Sequence, residues 1–252
     1  MYHFDPPLEA IQISEDDKLR SKVVFELLST VENSKGADKT PKTIVQFWDN
    51  TDRVPPDVQK CMDSWKILKY SGFNYQVFCE KSAKEYISTN LSVNHLRAFL
   101  NCYHPAMKSD YFRLCFIYCS GGMYVDSDEV YTGKCIDSYF EDSKLKLHPL
   151  CYDIRSDSMV SFDLSIGQPF KKSRIYYFNN NPLISGKNHF IIEYALNRAT
   201  KILNSIDTED LPEIQSTAGP GNLTASIVAA YASNNNLKAF SILTDWEKKS
   251  RN

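Results

Sequence analysis

Hydrophobic and polar positions follow two different periods along this chain. Apolar residues spaced three or four apart are typical of helices with one buried face. They predict helices at 15–31, from Asp57, at 80–89, at 92–101, from Pro105, near 189–204 and at 223–232. Short apolar runs predict strands at 44–48, 75–79 and 123–125, with strand-like segments at 158–166 and 174–178. Strands that alternate with helices indicate an α/β fold in which helices cover a largely parallel sheet.

The first forty residues differ in character from the rest. The helix predicted at 15–31 has an apolar face, and the segment 32–40, ENSKGADKT, is polar and typical of a linker. We therefore predict an N-terminal amphipathic helix and linker at 1–40, followed by the main domain at 41–252. Two interpretations of the helix stay open: it packs on the main domain, or it binds a membrane surface or a partner.

Composition and charge narrow the function classes. The formal net charge is −2, from 29 basic and 31 acidic residues, so the chain lacks the basic excess of a dedicated nucleic-acid binder. Seven cysteines without a CxxC pair do not match a zinc site or a disulfide framework, which predicts free thiols in a reducing compartment. No apolar run is long enough to span a membrane, and the N-terminus does not resemble a signal peptide. We expect a cytoplasmic protein, with peripheral association at the inner face of the membrane left open.

Asp126 and Asp128 directly follow the strand predicted at 123–125. In an extended segment residues i and i+2 point the same way, so both carboxylates would face one site. At about 5 Å they repel by roughly 3 kcal/mol at an effective dielectric constant near 20, which a shared proton, a nearby cation or a bound metal would offset. Oxygen ligands of this kind suit Mg²⁺ or Mn²⁺. A solvated acidic turn is the alternative, and Glu129, next in the chain, would point the other way.

The helix that starts at Pro105 carries Asp110 and Arg113, which are three residues apart and therefore neighbours on one face. Gly121 and Gly122 end this helix, and the chain turns directly into the acidic strand. The pair is either a surface ion pair or an acid and an arginine that grip a ribose or a phosphate at the border of the same cleft.

The segment 107–130, MKSDYFRLCFIYCSGGMYVDSDEV, resembles the signature of DxD-containing sugar transferases, in which a helix with Ser-Asp-x-x-Arg precedes Gly-Gly-x-Tyr-x-Asp-x-Asp. The group is glycosyltransferase family 32, with bacterial capsule and lipopolysaccharide enzymes, yeast initiating mannosyltransferases and, more distantly, clostridial glucosylating toxins. Further matches lie at 41–48, at the Ser-Trp pair 64–65 and at the turn 217–223, so the resemblance spans about 41–228. It implies a GT-A fold with a Rossmann-like mixed sheet flanked by helices, and a catalytic domain at 41–252.

The resemblance also implies roles for single residues. Trp48 would stack on the nucleotide base. Asp128 would ligate a Mn²⁺ or Mg²⁺ ion directly, and Asp126 would contact both the ribose and the metal shell. The residues expected to bind the nucleotide-sugar are Trp48, Asp110, Arg113, Tyr124, Asp126 and Gly221. No catalytic base or nucleophile is assigned. The chain departs from the family pattern in two places: Val45 replaces a histidine, and no late histidine or Ser-x-Trp segment is evident, with Trp246 as a candidate remnant.

The activity implied by the resemblance is metal-dependent, retaining transfer of a hexose from a nucleotide-sugar to a glycan acceptor in capsule or lipopolysaccharide synthesis. A UDP-sugar is favoured over GDP-mannose as the donor. Two alternatives use the same donor site, a toxin-like protein glucosyltransferase and a non-catalytic nucleotide-sugar binder. A third is a structural α/β module whose acidic turn is merely solvated.

Overall fold

The computed structural model describes residues 15–30, 38–160, 169–206, 211–234 and 239–251. Its α-helices are α1 (Glu15–Thr30), α2 (Pro56–Lys66), α3 (Glu80–Asn90), α4 (Val93–Asn101), α5 (Pro105–Ser120), α6 (Phe190–Asn204), α7 (Ile214–Thr217), α8 (Pro220–Asn234) and α9 (Trp246–Lys249). Its strands are β1 (Thr43–Phe47), β2 (Asn74–Phe78), β3 (Gly122–Tyr124), β4 (Val130–Tyr131), β5 (Leu145–Asp153), β6 (Ser158–Val160), β7 (Arg174–Ser185), β8 (Phe240–Ile242) and β9 (Ser250–Arg251).

Local sequence signals account for most of these elements. Each predicted helix is present, with ends shifted by at most a few residues. At the end of α5, Gly122 has a φ of 115°, and a Cβ there would lie 2.7 Å from the Thr43 carbonyl oxygen. Glycine therefore allows β3 to lie against β1. The prediction did not include β5, and the strand-like segment at 158–166 is a strand at 158–160, with 161–166 outside the described residues.

A seven-stranded sheet lies at the centre of the described residues, in the order β2-β1-β3-β7-β5-β6, with β8 paired to β5. β1 runs parallel to both β2 and β3, as the alternation of strands and helices predicts. β7 runs antiparallel to β3 and to β5, and β6 runs antiparallel to β5. The expectation of a largely parallel sheet is wrong for β5, β6 and β7, because the described residues from β5 to β7 contain no helix to make a parallel crossover. β8, which follows α6 and α8 in the chain, runs parallel to β5. The mixed sheet flanked by helices that the resemblance implies is confirmed.

Side chains on the two faces of the sheet belong to two hydrophobic clusters. Along β1, Val45 and Phe47 join the cluster to which α5, α6 and α8 contribute. Ile44 joins the other cluster, which contains Trp65 and Trp246. Successive side chains of a pleated strand point to opposite faces, so this alternation shows that β1 is covered on both sides.

The helix α1 packs against β7. Val24 and Leu27 are fully buried within the first of these clusters. The Ser21 hydroxyl donates to the Arg174 carbonyl at 3.2 Å and accepts from the Tyr176 amide at 2.9 Å. Of the two interpretations of this helix, packing on the main domain is the one observed. The boundary at residue 40 stays a prediction, and residues 31–37 of the linker region lie outside the described residues.

The part of the chain that the structure describes contains neither a candidate membrane-spanning helix nor a disulfide. None of its helices is long and apolar enough to cross a membrane. All seven cysteines lie in this part and are free, as predicted, and three of them are buried, Cys102, Cys115 and Cys151. The cytoplasmic location stays a prediction.

Candidate active site

The strand order has a topological switch point at the carboxyl ends of β1 and β3, where a crevice is expected. The chain passes from β1 to β2 on one side, while β3 pairs with β1 on the other side. Open α/β sheets bind ligands at such a switch point, outside the carboxyl ends of the strands. Trp48 follows β1 at this edge, and Asp126 lies two residues beyond β3. The Ser127 hydroxyl donates to the Phe47 carbonyl at 2.9 Å, which holds the acidic segment beside β1.

Arg113 lies at the centre of the polar residues in this crevice. Its Nη2 atom is 2.7 Å from Asp126 Oδ1 and 2.9 Å from Asp110 Oδ1, and its Nη1 atom donates to the Asn180 carbonyl at 2.8 Å. The guanidinium carbon lies 4.4 Å from the centre of the Tyr124 ring, within reach of a cation–π interaction. The Arg113 side chain is only 3% exposed, so the pair with Asp110 is buried and is not a surface ion pair.

The buried carboxyl group of Asp110 shares the Arg113 charge with Asp126. Burial raises the pKa of Asp110 to about 6, the charge of Arg113 opposes this rise, and the charge of Asp126 adds to it. The Asn180 amide donates to Asp110 Oδ1 at 2.8 Å. The other carboxylate oxygen faces Gly219, where a Cβ would lie 3.0 Å from it. The turn between α7 and α8 therefore closes against Asp110.

Asp126 and Asp128 lie in different environments. Asp126 Oδ1 is paired with Arg113, whereas the Asp128 side chain is exposed. Among the described residues, no side chain donates a hydrogen bond to the Asp128 carboxylate. Although this group reaches solvent, the surrounding protein removes part of its hydration, which raises its pKa, and the charge of Asp126 adds to the rise. A cation at Asp128 would relieve this unfavourable charge.

Glu129 points away from the crevice, as the sequence predicts. Its Oε1 atom accepts from the Asn181 side-chain amide at 2.6 Å, and its Oε2 atom accepts from the Ser250 hydroxyl. Burial raises the pKa of Glu129 to about 7, and these hydrogen bonds counter part of the rise. The third acid of the motif is therefore a buried group that joins separate segments of the chain.

Asn180 and Asn181 were not among the residues predicted for the site. Between the pairs Lys146–Ile184 and His148–Asn179, β5 advances by two residues and β7 by five, so β7 bulges at 180–183. The bulge brings Asn180 to Asp110 and Arg113, and Asn181 Oδ1 accepts from the Asp126 amide at 3.1 Å. The sequence signal was the run Asn-Asn-Asn-Pro at 179–182, since proline interrupts a strand and is typical of bulges and edges.

The two glycines of the turn at 219–221 have different neighbours. A Cβ at Gly221 would lie 3.1 Å from Gln215 O and from Ser216 Cα, so this glycine permits close packing against α7. Gly219, at the start of the same turn, is the one that borders Asp110. The binding role expected of Gly221 stays a prediction.

The structure places the two predicted aromatic residues at different depths. Trp48 is partly exposed at the edge of the crevice. Tyr124 is fully buried, its hydroxyl lies 2.7 Å from Ser109 Oγ, and its ring supports the Arg113 guanidinium. Stacking of Trp48 on a base and contact of Tyr124 with the nucleotide stay predictions.

Val45, which replaces the family's histidine, and Trp246, the candidate remnant of the late segment, both lie in the hydrophobic core. Val45 is fully buried, so its side chain does not reach the crevice. Trp246 is also buried and stacks on Trp65, with ring centres 6.0 Å apart. Trp246 thus contributes to the core beneath the acidic segment.

The residues of the crevice fit a divalent ion that takes part of its shell from the substrate. Asp126 and Asp128 supply carboxylate oxygens, and Asp128 is open to solvent. Within the described residues, no group of three or more His, Cys, Asp or Glu side chains is arranged to hold a metal. Mg²⁺ is commonly bound by one or two carboxylates together with substrate phosphates and water, so two aspartates suffice for such a site.

Comparisons with known proteins agree with this fold. The structure is similar to that of the PaToxG glycosyltransferase, with a TM-score of 0.51 and 16% sequence identity over 87% of this chain and 77% of that chain. A comparison with curated protein sequences gives no match. A family model described as "Capsular polysaccharide synthesis protein" matches residues 12–204.

The mixed sheet with flanking helices and the structural likeness show that the chain has the GT-A fold. Because the family model covers most of its length, the chain belongs to the capsular polysaccharide synthesis protein family. The family model thus gives the family of the chain, and the structural likeness gives its fold.

Proposed function

We propose that the chain is a metal-dependent, retaining glycosyltransferase that transfers a hexose from a UDP-sugar to a glycan acceptor in capsule synthesis. The observation that carries the proposal is the pairing of Asp126 with Arg113, which leaves Asp128 as the exposed carboxylate at the edge of the sheet where Trp48 follows β1. Family membership supports the glycan acceptor.

The charges of the crevice support the dependence on a divalent ion. When ionised, Asp110, Asp126 and Asp128 carry three negative charges, and Arg113 carries one positive charge, which leaves a net charge of −2. A diphosphate donor would add further negative charge at the same edge. A divalent cation offsets such repulsion, whereas an unoccupied acidic crevice would disfavour the donor.

The proposed roles of the side chains follow from their contacts. Arg113 would orient the Asp126 carboxylate, and the buried Asp110 would hold the Arg113 guanidinium in position. Asp128, with Asp126, would hold Mn²⁺ or Mg²⁺, which as a bound Lewis acid would stabilise charge on the leaving diphosphate. Trp48 would provide the face on which the base stacks. No described residue is assigned as a base or nucleophile.

The test is Mn²⁺-dependent release of UDP from a panel of nucleotide-sugars, read by mass spectrometry. Asp128→Asn should lower the release by about 100-fold, a loss of roughly 3 kcal/mol in transition-state stabilisation, with an unchanged melting temperature. The matched control is Asp38→Asn, because Asp38 is exposed and precedes the amino end of β1, at the opposite edge of the sheet. This control should keep wild-type release.

Three outcomes would change the proposal. Binding of UDP with Mn²⁺ but no release from any donor would indicate a non-catalytic binder. Release of GDP alone from the panel would replace the UDP-sugar by a GDP-sugar. Equal release by wild type and Asp128→Asn would remove Asp128 from the metal site.

A further inference from the structure

Glu129 connects three segments that are distant in sequence. Its Oε1 atom accepts from Asn181 in β7, and its Oε2 atom accepts from Ser250 in β9. Its backbone carbonyl accepts from the Trp65 indole at 2.9 Å. Both carboxylate oxygens of this buried side chain are therefore hydrogen-bonded, as a buried carboxylate requires.

Asn181 connects Glu129 to Asp126 through two hydrogen bonds. An amide side chain has one donor end and one acceptor end, so the bond from Asn181 Nδ2 to Glu129 directs Asn181 Oδ1 the other way. That oxygen accepts from the Asp126 amide at 3.1 Å. The Gln46 side chain donates to the Asp126 carbonyl at 3.0 Å, so both backbone polar groups of Asp126 are held by side chains.

The contact with Ser250 ties the C-terminal segment to the same loop. β9 pairs with β4, with Ser250 opposite Tyr131, and the Thr132 amide donates to the Lys249 carbonyl at 2.9 Å. Trp246 is buried beneath this pairing and stacks on Trp65. Residues 246–251 thus cover the side of the acidic loop that faces away from the crevice.

We infer that Glu129, Asn181 and Ser250 form a clamp that positions Asp126 and Asp128 for the divalent ion, with Glu129 as its central positioning residue. The inference rests on the proposed function for what the aspartates bind. Hydrogen bonds behind a metal ligand fix its orientation, and their loss typically weakens metal affinity by about 10- to 100-fold. Ser250 and Asn181 would then affect metal affinity without contacting the ion.

Two measurements test the clamp in the full chain. The first is the affinity for Mn²⁺ in the presence of UDP, measured by calorimetry. The second is amide hydrogen exchange of the segment that contains Asp126, measured without metal or nucleotide. The variants are Glu129→Ala, Ser250→Ala and Glu129→Gln, with Glu85→Gln as control because Glu85 is exposed on α3.

Glu129→Ala should weaken Mn²⁺ affinity by at least about 10-fold and accelerate exchange at Asp126. Ser250→Ala removes one hydroxyl and should shift both measurements in the same direction by a smaller amount. Glu129→Gln can still accept from Asn181 and can donate to the Ser250 oxygen, so it should stay within about threefold of the wild-type affinity. Glu85→Gln should match wild type.

The clamp is overturned if Ser250→Ala leaves both affinity and exchange unchanged, or if Glu129→Gln loses as much affinity as Glu129→Ala. Ser250→Ala decides the question if Glu129→Ala does not fold. If wild type binds neither Mn²⁺ nor UDP, the proposed function fails, whereas the exchange at Asp126 still tests the clamp by itself.

Discussion

The single positive charge of Arg113 is paired with two carboxylates, those of Asp110 and Asp126. Asp126 and Asp110 both lie within 3 Å of Nη2. Tyr124 supports the guanidinium from one side, and Asn180 accepts from Nη1. One positive charge cannot fully compensate two negative charges, and burial raises the pKa of Asp110, the more deeply buried of the two carboxyl groups.

The raised pKa of Asp110 predicts a dependence of stability on pH. Because the pKa is about 6 in the folded chain against an ordinary value of 3.8, the folded state binds more protons between about pH 4 and pH 6. The free energy of unfolding should therefore fall as the pH rises through this window, by on the order of 3 kcal/mol. Asp110→Asn should remove this part of the slope, measured by urea unfolding at pH 4, 5, 6 and 7 in EDTA.

The exposed Asp38→Asn variant is the control and should keep the wild-type slope. Part of the slope belongs to Glu129, whose pKa is also raised by burial, so the difference between wild type and Asp110→Asn is the informative quantity. Parallel curves for the two proteins would contradict the prediction.

At the scale of the elements, the packing of α1 against β7 contributes to the stability of both. β7 pairs with both β3 and β5, and α1 lies along it with Ser21 bonded to two backbone groups of the strand. The same strand carries the bulge that delivers Asn180 and Asn181 to the acidic crevice. Packing of α1 therefore supports the strand from which these two side chains project.

Ser21→Ala should destabilise the chain because the Tyr176 amide would lose its acceptor in a buried environment. The expected loss is about 1–3 kcal/mol, measured by urea unfolding. Ser29→Ala, in the same helix, is the matched control, since the exposed Ser29 hydroxyl donates to the Phe25 carbonyl of its own helix. Its change should stay within about 0.5 kcal/mol. Equal losses in both variants would mean that the contact between α1 and β7 contributes little.

At the scale of the whole molecule, one mixed sheet separates two hydrophobic clusters. The smaller cluster lies beneath the acidic loop and includes Trp65 from α2 and Trp246 from the C-terminal segment. These two indoles stack with ring centres 6.0 Å apart. The C-terminal residues are thus part of the core that supports the crevice.

Trp246→Ala should lower the free energy of unfolding by about 3–5 kcal/mol, the usual cost of removing a buried tryptophan. The measurement is equilibrium unfolding in urea followed by far-UV circular dichroism. Tyr70→Ala is the control, because Tyr70 is 93% exposed and should change stability little. An unchanged unfolding midpoint for Trp246→Ala would show that the C-terminal segment does not stabilise the fold.

The helices α1 to α6 and α8, the strands β1, β2 and β3, and the acidic pair could be predicted from the sequence, whereas the one-turn helices α7 and α9 were not predicted. Their signals are local: apolar spacing along each helix, prolines at helix starts, and Gly121 and Gly122 before β3. Such spacing reports which residues of one element share a face. It was sufficient to predict that Asp110 and Arg113 lie on the same face of α5, because they are one turn apart.

Three features could be learned only from the tertiary structure. Arg113 pairs with Asp126 and leaves Asp128 exposed, β7 runs antiparallel to its neighbours, and Asn181 and Ser250 donate hydrogen bonds to Glu129. The bonds from these two residues to Glu129 span 52 and 121 positions of sequence. Periodicity carries no information about partners so far apart, because they meet only when the sheet order and the packing of the C-terminal segment bring them together. The sequence by itself therefore determined the acidic motif and its neighbouring helix, and the three-dimensional packing determined how the motif is held.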